Sequence, residues 1–311
     1  MPNFRKKFIR KLDKIRYGVI RHGLNTWGET VLGFLDVITL TLRGKRLGLY
    51  GRALAKRRLN INGQSYQIKD MRLPLLRKDD EFHLASSIYE DTYWSYVNCN
   101  DRYDEKTYDE CDKFLSEGLY GLVNDSVNVT VELGDVVIDA GAWIGDFAAY
   151  ASVKGASAVY AFEPTEQTFE YLTQTAELNK NIIPVRKGLS NENTNATLRI
   201  DTSGNSGGNT LRTNGNETPE SSETVETVRL DDFVRENNIP RVDFIKADIE
   251  GFERHMLAGA QETLARFAPK LALCTYHLPD DPEVMASLIK QANPKYNIVQ
   301  KRKKLFASVP K

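Results

Sequence analysis

The sequence predicts an α/β fold: a Rossmann-like, doubly wound, mostly parallel sheet of about seven strands, carrying a helical basic extension at its N-terminus. Three observations predict it. From Asp135 onward, short apolar runs without polar alternation, beginning with VVIDA (136–140), recur between helical stretches; strands buried on both faces read this way. Strand and helix then alternate, which argues parallel βαβ units. The turn Gly141-Ala142-Trp143-Ile144-Gly145 joins the first strand to the first helix, at the edge where open α/β sheets take their ligands.

The regular part divides from what precedes it by charge. Residues 1–60 hold fifteen Lys or Arg against Asp13, Glu29 and Asp36, a balance of +12 that leaves −12 on the rest of a formally neutral, 311-residue chain. Within FRKKFIRKLDKIRYGVI, Phe4, Phe8, Leu12, Ile15 and Val19 fall near one helical face with cations around it. That pattern suits a helix lying in an anionic membrane surface, and also a solvated helix packed on the main domain. Nucleic acid is a poor partner, because the acidic body would repel a phosphate backbone. The best apolar run, VLGFLDVITLTL, has twelve residues and carries Asp36, short of the roughly 20 that span a bilayer. No signal-peptide pattern is visible, and Cys99, Cys111 and Cys274 are odd in number and widely spaced. These features predict a cytoplasmic protein in a reducing compartment, with the inner membrane face as a peripheral contact.

Three segments follow: a basic helical extension (1–58), a hairpin plus aromatic-rich connector or lid (59–125), and the α/β domain (126–311). In LNINGQSYQIKD (59–70), Asn-Gly stands between alternating apolar positions, a hairpin signal. The acidic, aromatic connector includes Tyr93, Trp94 and Tyr96. Rings beside carboxylates suit stacking on a sugar-like ligand, and equally a lid that packs by those rings.

Within the α/β domain, DFAAYASVKG forms a helix that Gly155 ends, AVYAFEP (158–164) a second strand, TEQTFEYLTQTAELNK a helix and IIPVRKGLS (182–190) a third strand. Residues 191–223, rich in Asn, Thr, Ser and Gly, read as an edge excursion and mobile loop. TVETVRLDDFVREN resumes the order, VDFIKADIEG (242–251) is the next strand, FERHMLAGAQETLARF a helix and KLALCTYHL a strand. DPEVMASLIKQ gives a last helix, and YNIVQKRK and KLFASVP two closing strands.

Functional groups in such sheets gather at the carboxyl ends of the strands. That rule selects Asp139, Glu163, Asp248, Glu250 and His277. A dinucleotide wants G-x-G-x-x-G for its pyrophosphate, and the five-residue turn here has neither that spacing nor, with Asp139 beside it, the right charge. S-adenosylmethionine has no phosphate but carries cationic groups for an acid and a carboxylate for free loop amides. Glu163, followed by the stiffening Pro164, stands where an acid accepts from both ribose hydroxyls; this supports a nucleoside without choosing between the two cofactors.

These residues resemble the FkbM-type methyltransferases of the class I S-adenosylmethionine-dependent group, over roughly residues 126–311. The resemblance lies in GDVVIDAGAWIGDF, AFEP, KGLSN, ETVRLDDF and, most specifically, IKADIEGFERHMLAGA with PKLALCTYH. Trp143 stands where the family commonly has Asn, and Thr275 where an acid often precedes the histidine. The resemblance implies a methyltransferase that uses S-adenosyl-L-methionine, held by Asp139, Gly141, Ala142, Gly145, Glu163, Pro164 and Ser190. It also implies a hydroxyl acceptor, which needs a base as its proton leaves. Asp248 and His277 are the expected catalytic residues, Glu250, Tyr93 and Trp94 the expected acceptor contacts, and Lys246 an ion-pair partner. No metal site is assigned, although Asp248, Glu250 and His277 could in principle hold a divalent cation.

The resulting reading is an O-methyltransferase acting on a sugar, glycan or similar polar metabolite. Its alternatives are a noncatalytic S-adenosylmethionine-binding or membrane-adaptor protein and, behind that, a nucleotide-cofactor oxidoreductase.

Overall fold

A computed structural model describes residues 60–62, 65–68, 71–75, 120–200, 208–211, 221–301 and 303–310. The expected basic helix and the aromatic pair Tyr93 and Trp94 lie outside the described residues. Short strands β1 (Asn60–Asn62), β2 (Ser65–Ile68) and β3 (Met71–Pro74) form one small sheet, with β1 ending on Asn62 of the predicted Asn-Gly turn and β2 opening on Ser65. A two-residue pair, β4 (Leu122–Val123) and β5 (Asn128–Val129), leads into the main domain.

The main sheet has seven strands. In chain order they are β6 (Val136–Ala140), β7 (Ala158–Phe162), β8 (Ile182–Val185), β12 (Phe244–Ala247), β13 (Lys270–Cys274), β14 (Asn297–Lys301) and β15 (Lys304–Ser308). Their spatial order is β14-β15-β13-β12-β6-β7-β8. All neighbours pair in parallel except β15, which runs antiparallel to both β13 and β14. From β6 the chain passes to β7 on one side and returns later to β12 on the other. The crevice above this reversal is where an open α/β sheet binds its ligand.

Strand alternation builds the two cores. Val136, Ile138 and Ala140 point to one face, where they meet Leu257, Leu264, Met285 and Ile289. Those residues belong to helices α4 (Glu253–Ala258), α5 (Gln261–Phe267) and α6 (Asp281–Ala292). Val137 points to the other, against Phe147 and Ala151 of α1 (Asp146–Val153) and Leu172 of α2 (Glu166–Leu178). Each fully buried Leu or Phe contributes about 1.5–3 kcal/mol, and the sheet is covered on both sides because no strand of the β6 type can face water.

Two expectations change in detail. The third predicted strand (182–190) is two: β8 stays in the main sheet, and β9 (Gly188–Ser190) joins a second sheet in the order β10-β11-β9. There β10 (Thr194–Arg199) and β11 (Ser222–Arg229) form an antiparallel ribbon, so part of the expected loop is strand, and TVETVR pairs outside the main sheet before α3 (Leu230–Glu236). The single helix expected over 252–267 breaks at Gly259. A Cβ there would lie 2.1 Å from the Ser190 carbonyl oxygen, so the backbones of α4 and β9 meet only through glycine. Among the described residues no helix is long and apolar enough to cross a membrane.

Candidate active site

The glycine turn after β6 is shaped by contact with the strand beside it. Gly141 has φ +71°, and a Cβ on it would sit 2.0 Å from the Asp248 carbonyl oxygen. Gly145 (φ +86°) opens α1, and a Cβ there would press within 2.8 Å of Leu172. Four of the turn's five amides, which the sequence reading left free for a ligand carboxylate, are instead bonded within the fold. Gly141 and Ala142 donate to the Phe162 carbonyl (3.1 and 2.8 Å), and Gly145 donates to that of Ala142 (2.7 Å). Trp143 donates to Glu163 Oε2 at 3.0 Å.

Glu163 therefore ties two loops together. Its Oε1 accepts from the Thr165 amide (3.0 Å) and the Thr168 hydroxyl (2.8 Å), fixing the start of α2 beside the glycine turn. Burial raises its carboxyl, and these donors pull it part of the way back.

Asp139 takes a different place from the one its position at a strand end suggests. It is wholly buried within β6, directly across the ladder from Lys246, whose Nζ lies 3.0 Å from Asp139 Oδ1. Lys246 also donates to the Gly141 carbonyl oxygen at 2.6 Å and to that of Ala140 at 3.3 Å. Burial would lower the Lys246 ammonium, but the carboxylates of Asp139, Asp248 and Asp146 outweigh it and hold the group above its ordinary range. The pair sits beneath the glycine turn and fastens it from below.

Above the turn lies an open cleft. Gly141, Trp143, Glu163, Pro164, Asp248 and Glu250 are among the residues that line it. Trp143 (φ +51°) and Glu250 (φ +54°) both hold left-handed backbone without being glycine. Such strain costs about 1–2 kcal/mol per residue and gathers where a site needs particular directions. Of the remaining expected cofactor residues, Ala142 and Ser190 are buried and do not line the cleft, and the Ser190 hydroxyl donates to Asn191 Oδ1 at 3.2 Å.

The acidic end is organised by partners that strand-end reasoning did not single out. Asp248 Oδ2 accepts from the Tyr120 hydroxyl (2.9 Å) and Oδ1 from the Tyr276 hydroxyl (2.8 Å). Burial would raise its carboxyl, but the charges of Lys246, His277 and Lys304 with the Tyr276 bond hold it below the usual carboxylate range. His277 faces carboxylates on both sides, with Nε2 3.2 Å from Glu250 Oε2 and Nδ1 3.3 Å from Glu253 Oε1. Burial alone would lower the imidazole; its two glutamate partners outweigh that and push it up to about 10. Glu253, fully buried, accepts from the amides of Ile249 (2.9 Å) and Gly251 (3.1 Å), so one carboxylate braces both the turn after β12 and the imidazole. Glu253 was legible in the sequence only as the last acid of the IKADIEGFE block.

Residues 139–296, just over half of the chain, match the family profile described as the methyltransferase FkbM domain. The chain belongs to the FkbM methyltransferase family. Over 162 residues, this family member is 29% identical to the hexuronic acid methyltransferase AglP of Haloferax volcanii, a stretch that covers 52% of the chain and 64% of AglP. Two solved structures are similar at lower identity. The methyltransferase FkbM of Methylobacillus flagellatus KT is 18% identical with a TM-score of 0.44, over 73% of this chain and 60% of its own. The fibrillarin of Aeropyrum pernix, solved with natively bound S-adenosyl-L-methionine, is 14% identical with a TM-score of 0.38, over 63% and 74%.

Proposed function

We propose that the chain transfers a methyl group from S-adenosyl-L-methionine to a hydroxyl of a sugar or glycan. The observation that carries this reading is the cleft at the reversal point of the sheet, lined by the glycine turn, Glu163, Asp248 and Glu250. Family membership supports the reaction class, and likeness to a hexuronic acid methyltransferase supports the acceptor class.

The residues present fit the donor molecule. Glu163 lines the cleft with its backbone partners already fixed. When bound, the donor supplies an electrophilic methyl group on a sulfonium. Gly141 and Trp143 would wall it, and Glu163 would accept from its ribose hydroxyls. The Asp139–Lys246 pair keeps the turn in place without touching the ligand. On the acceptor side, Glu250 would bind a hydroxyl and Asp248 would take its proton as the oxygen bonds to the methyl carbon and the methyl–sulfur bond breaks, with S-adenosylhomocysteine as the leaving group. Tyr120 and Tyr276 aim the Asp248 carboxylate, and His277, engaged by Glu250 and Glu253, positions Glu250. Holding the reacting groups in line contributes several of the roughly 7–11 kcal/mol that orientation can supply.

The test is isothermal titration of the full chain with S-adenosylhomocysteine, S-adenosylmethionine and NAD, followed by incubation with uronic acid glycosides and mass analysis. Micromolar binding of the adenosyl compounds, none of NAD, and a gain of one methyl by the acceptor is the expected result. Folded protein that binds neither adenosyl compound would refute the reading.

A further inference from the structure

We propose that Asp248, Glu250 and His277 form a divalent cation site in the cleft, of the kind that takes Mn2+ or Mg2+. One ligating atom from each residue lies within 4.8 Å of the other two. His277 Nε2 is 3.2 Å from Glu250 Oε2 and 3.9 Å from Asp248 Oδ1. Adjacent ligands on an octahedral ion with bonds near 2.1 Å stand about 3.0 Å apart and opposite ones about 4.2 Å. Both separations fall inside that span, and the third, between the two carboxylates, is no more than 4.8 Å, so a modest movement of side chains would bring the three atoms onto one ion.

The surroundings of the imidazole point the same way. Metal-binding histidines characteristically present one nitrogen to the ion while a carboxylate orients the other. Here Nδ1 faces Glu253, a fully buried carboxylate anchored by two backbone amides, and Nε2 faces the two carboxylates that line the cleft. His277 has 6% side-chain exposure, whereas Asp248 has 25% and Glu250 29%, so the histidine lies buried behind the two acids that line the cleft. Three residues leave room in a six-coordinate shell for water or for acceptor oxygens. Two oxygen ligands with one imidazole and no thiolate favour Mn2+ or Mg2+ over thiolate-seeking metals.

A second cluster, Glu253, His277 and Asp281, is less suited. Its two carboxylates are fully buried and do not line the cleft, and they hold the Ile249, Gly251 and Leu278 amides and the Arg254 guanidinium.

The use of the site rests on the proposed methyl transfer, since a cation there would fix the acceptor hydroxyl beside Asp248. Its existence does not, and the experiment separates the two. Mn2+ is titrated into the full chain and followed by the loss of the free-ion electron paramagnetic resonance signal, with Mg2+ as competitor. S-adenosylhomocysteine binding is measured on the same samples. One Mn2+ per chain is expected, displaced by Mg2+ and at least about tenfold weaker in Glu250→Gln and in His277→Gln. Glu250→Gln changes only a cleft-facing side chain and keeps the test valid should His277→Gln fail to fold. Absent Mn2+ binding, or binding unchanged in a folded Glu250→Gln variant, overturns the site while intact adenosyl binding leaves the methyltransferase reading standing. Stoichiometric Mn2+ binding lost in these variants, in a chain that methylates no acceptor, upholds the site and tells against that reading alone.

Discussion

The Asp139–Lys246 pair offers the sharpest test of how the glycine turn is held. Their side chains are 0% and 5% exposed, and Nζ and Oδ1 lie 3.0 Å apart. Removing one member of a buried pair costs about 3–5 kcal/mol, because the other charge stays buried without compensation. Asp139→Asn and Lys246→Met are each expected to lower unfolding free energy by that amount at pH 7, measured by urea denaturation. At about 2–4 °C per kcal/mol for a domain of this size, each lowers the melting temperature by roughly 6–20 °C. The double variant has no stranded charge and should fall short of the sum of the singles by about 2 kcal/mol or more, the coupling expected of contacting groups. It does not recover fully, since Lys246 also donates to the Gly141 carbonyl oxygen. Additivity within about 0.5 kcal/mol would refute the claim that these residues act as one fastening.

Other consequences can be measured directly. Gly141→Ala should destabilise the fold by at least about 2 kcal/mol and weaken S-adenosylhomocysteine binding, because the new methyl meets the Asp248 carbonyl oxygen at 2.0 Å; an Ala variant of wild-type stability would show that the turn can relax. Asp248→Asn should lower turnover by about 10²–10⁴-fold while S-adenosylhomocysteine still binds, and a loss under about tenfold would remove Asp248 as the proton acceptor. The His255 imidazole is lowered, first by burial and then by Arg254. A lowered folded value means that its contribution to stability is present above the unfolded pKa and lost as pH falls through the folded one. NMR titration should accordingly place His255 below the ordinary value of about 6.5, and a midpoint above it would reverse the sign. Finally, anionic vesicles should bind the full chain in low salt and release it as salt rises, with Lys6→Glu and Lys7→Glu each weakening binding by about 1 kcal/mol or more; salt-independent binding would rule out an electrostatic contact by the basic segment.

What the sequence by itself determined is the frame. VVIDA, AVYAF, FIKA and KLALC carry too little polar surface to face water, so their burial on both faces, and hence helices on both faces, follows from composition and order. Strand-end position likewise brought Glu163, Asp248 and Glu250 to one crevice, because every strand of a parallel sheet delivers its loop to the same edge. The tertiary structure decided which of these groups face the cleft and which serve the fold. Asp139 reads as a ligand acid until register sets Lys246 across from it, a partner more than a hundred residues away that no local pattern can name. His277 stands alone at its strand end in the sequence, and only the folded turn after β12 places Glu250 and Glu253 by its two nitrogens. Tyr120 comes from before the first strand of the main sheet and Tyr276 from just beyond β13, yet both donate to Asp248. Local sequence specifies which segments must be buried, because burial is a property of the side chain itself. Charge pairing depends on register and distance between segments, and those exist only once the sheet has formed.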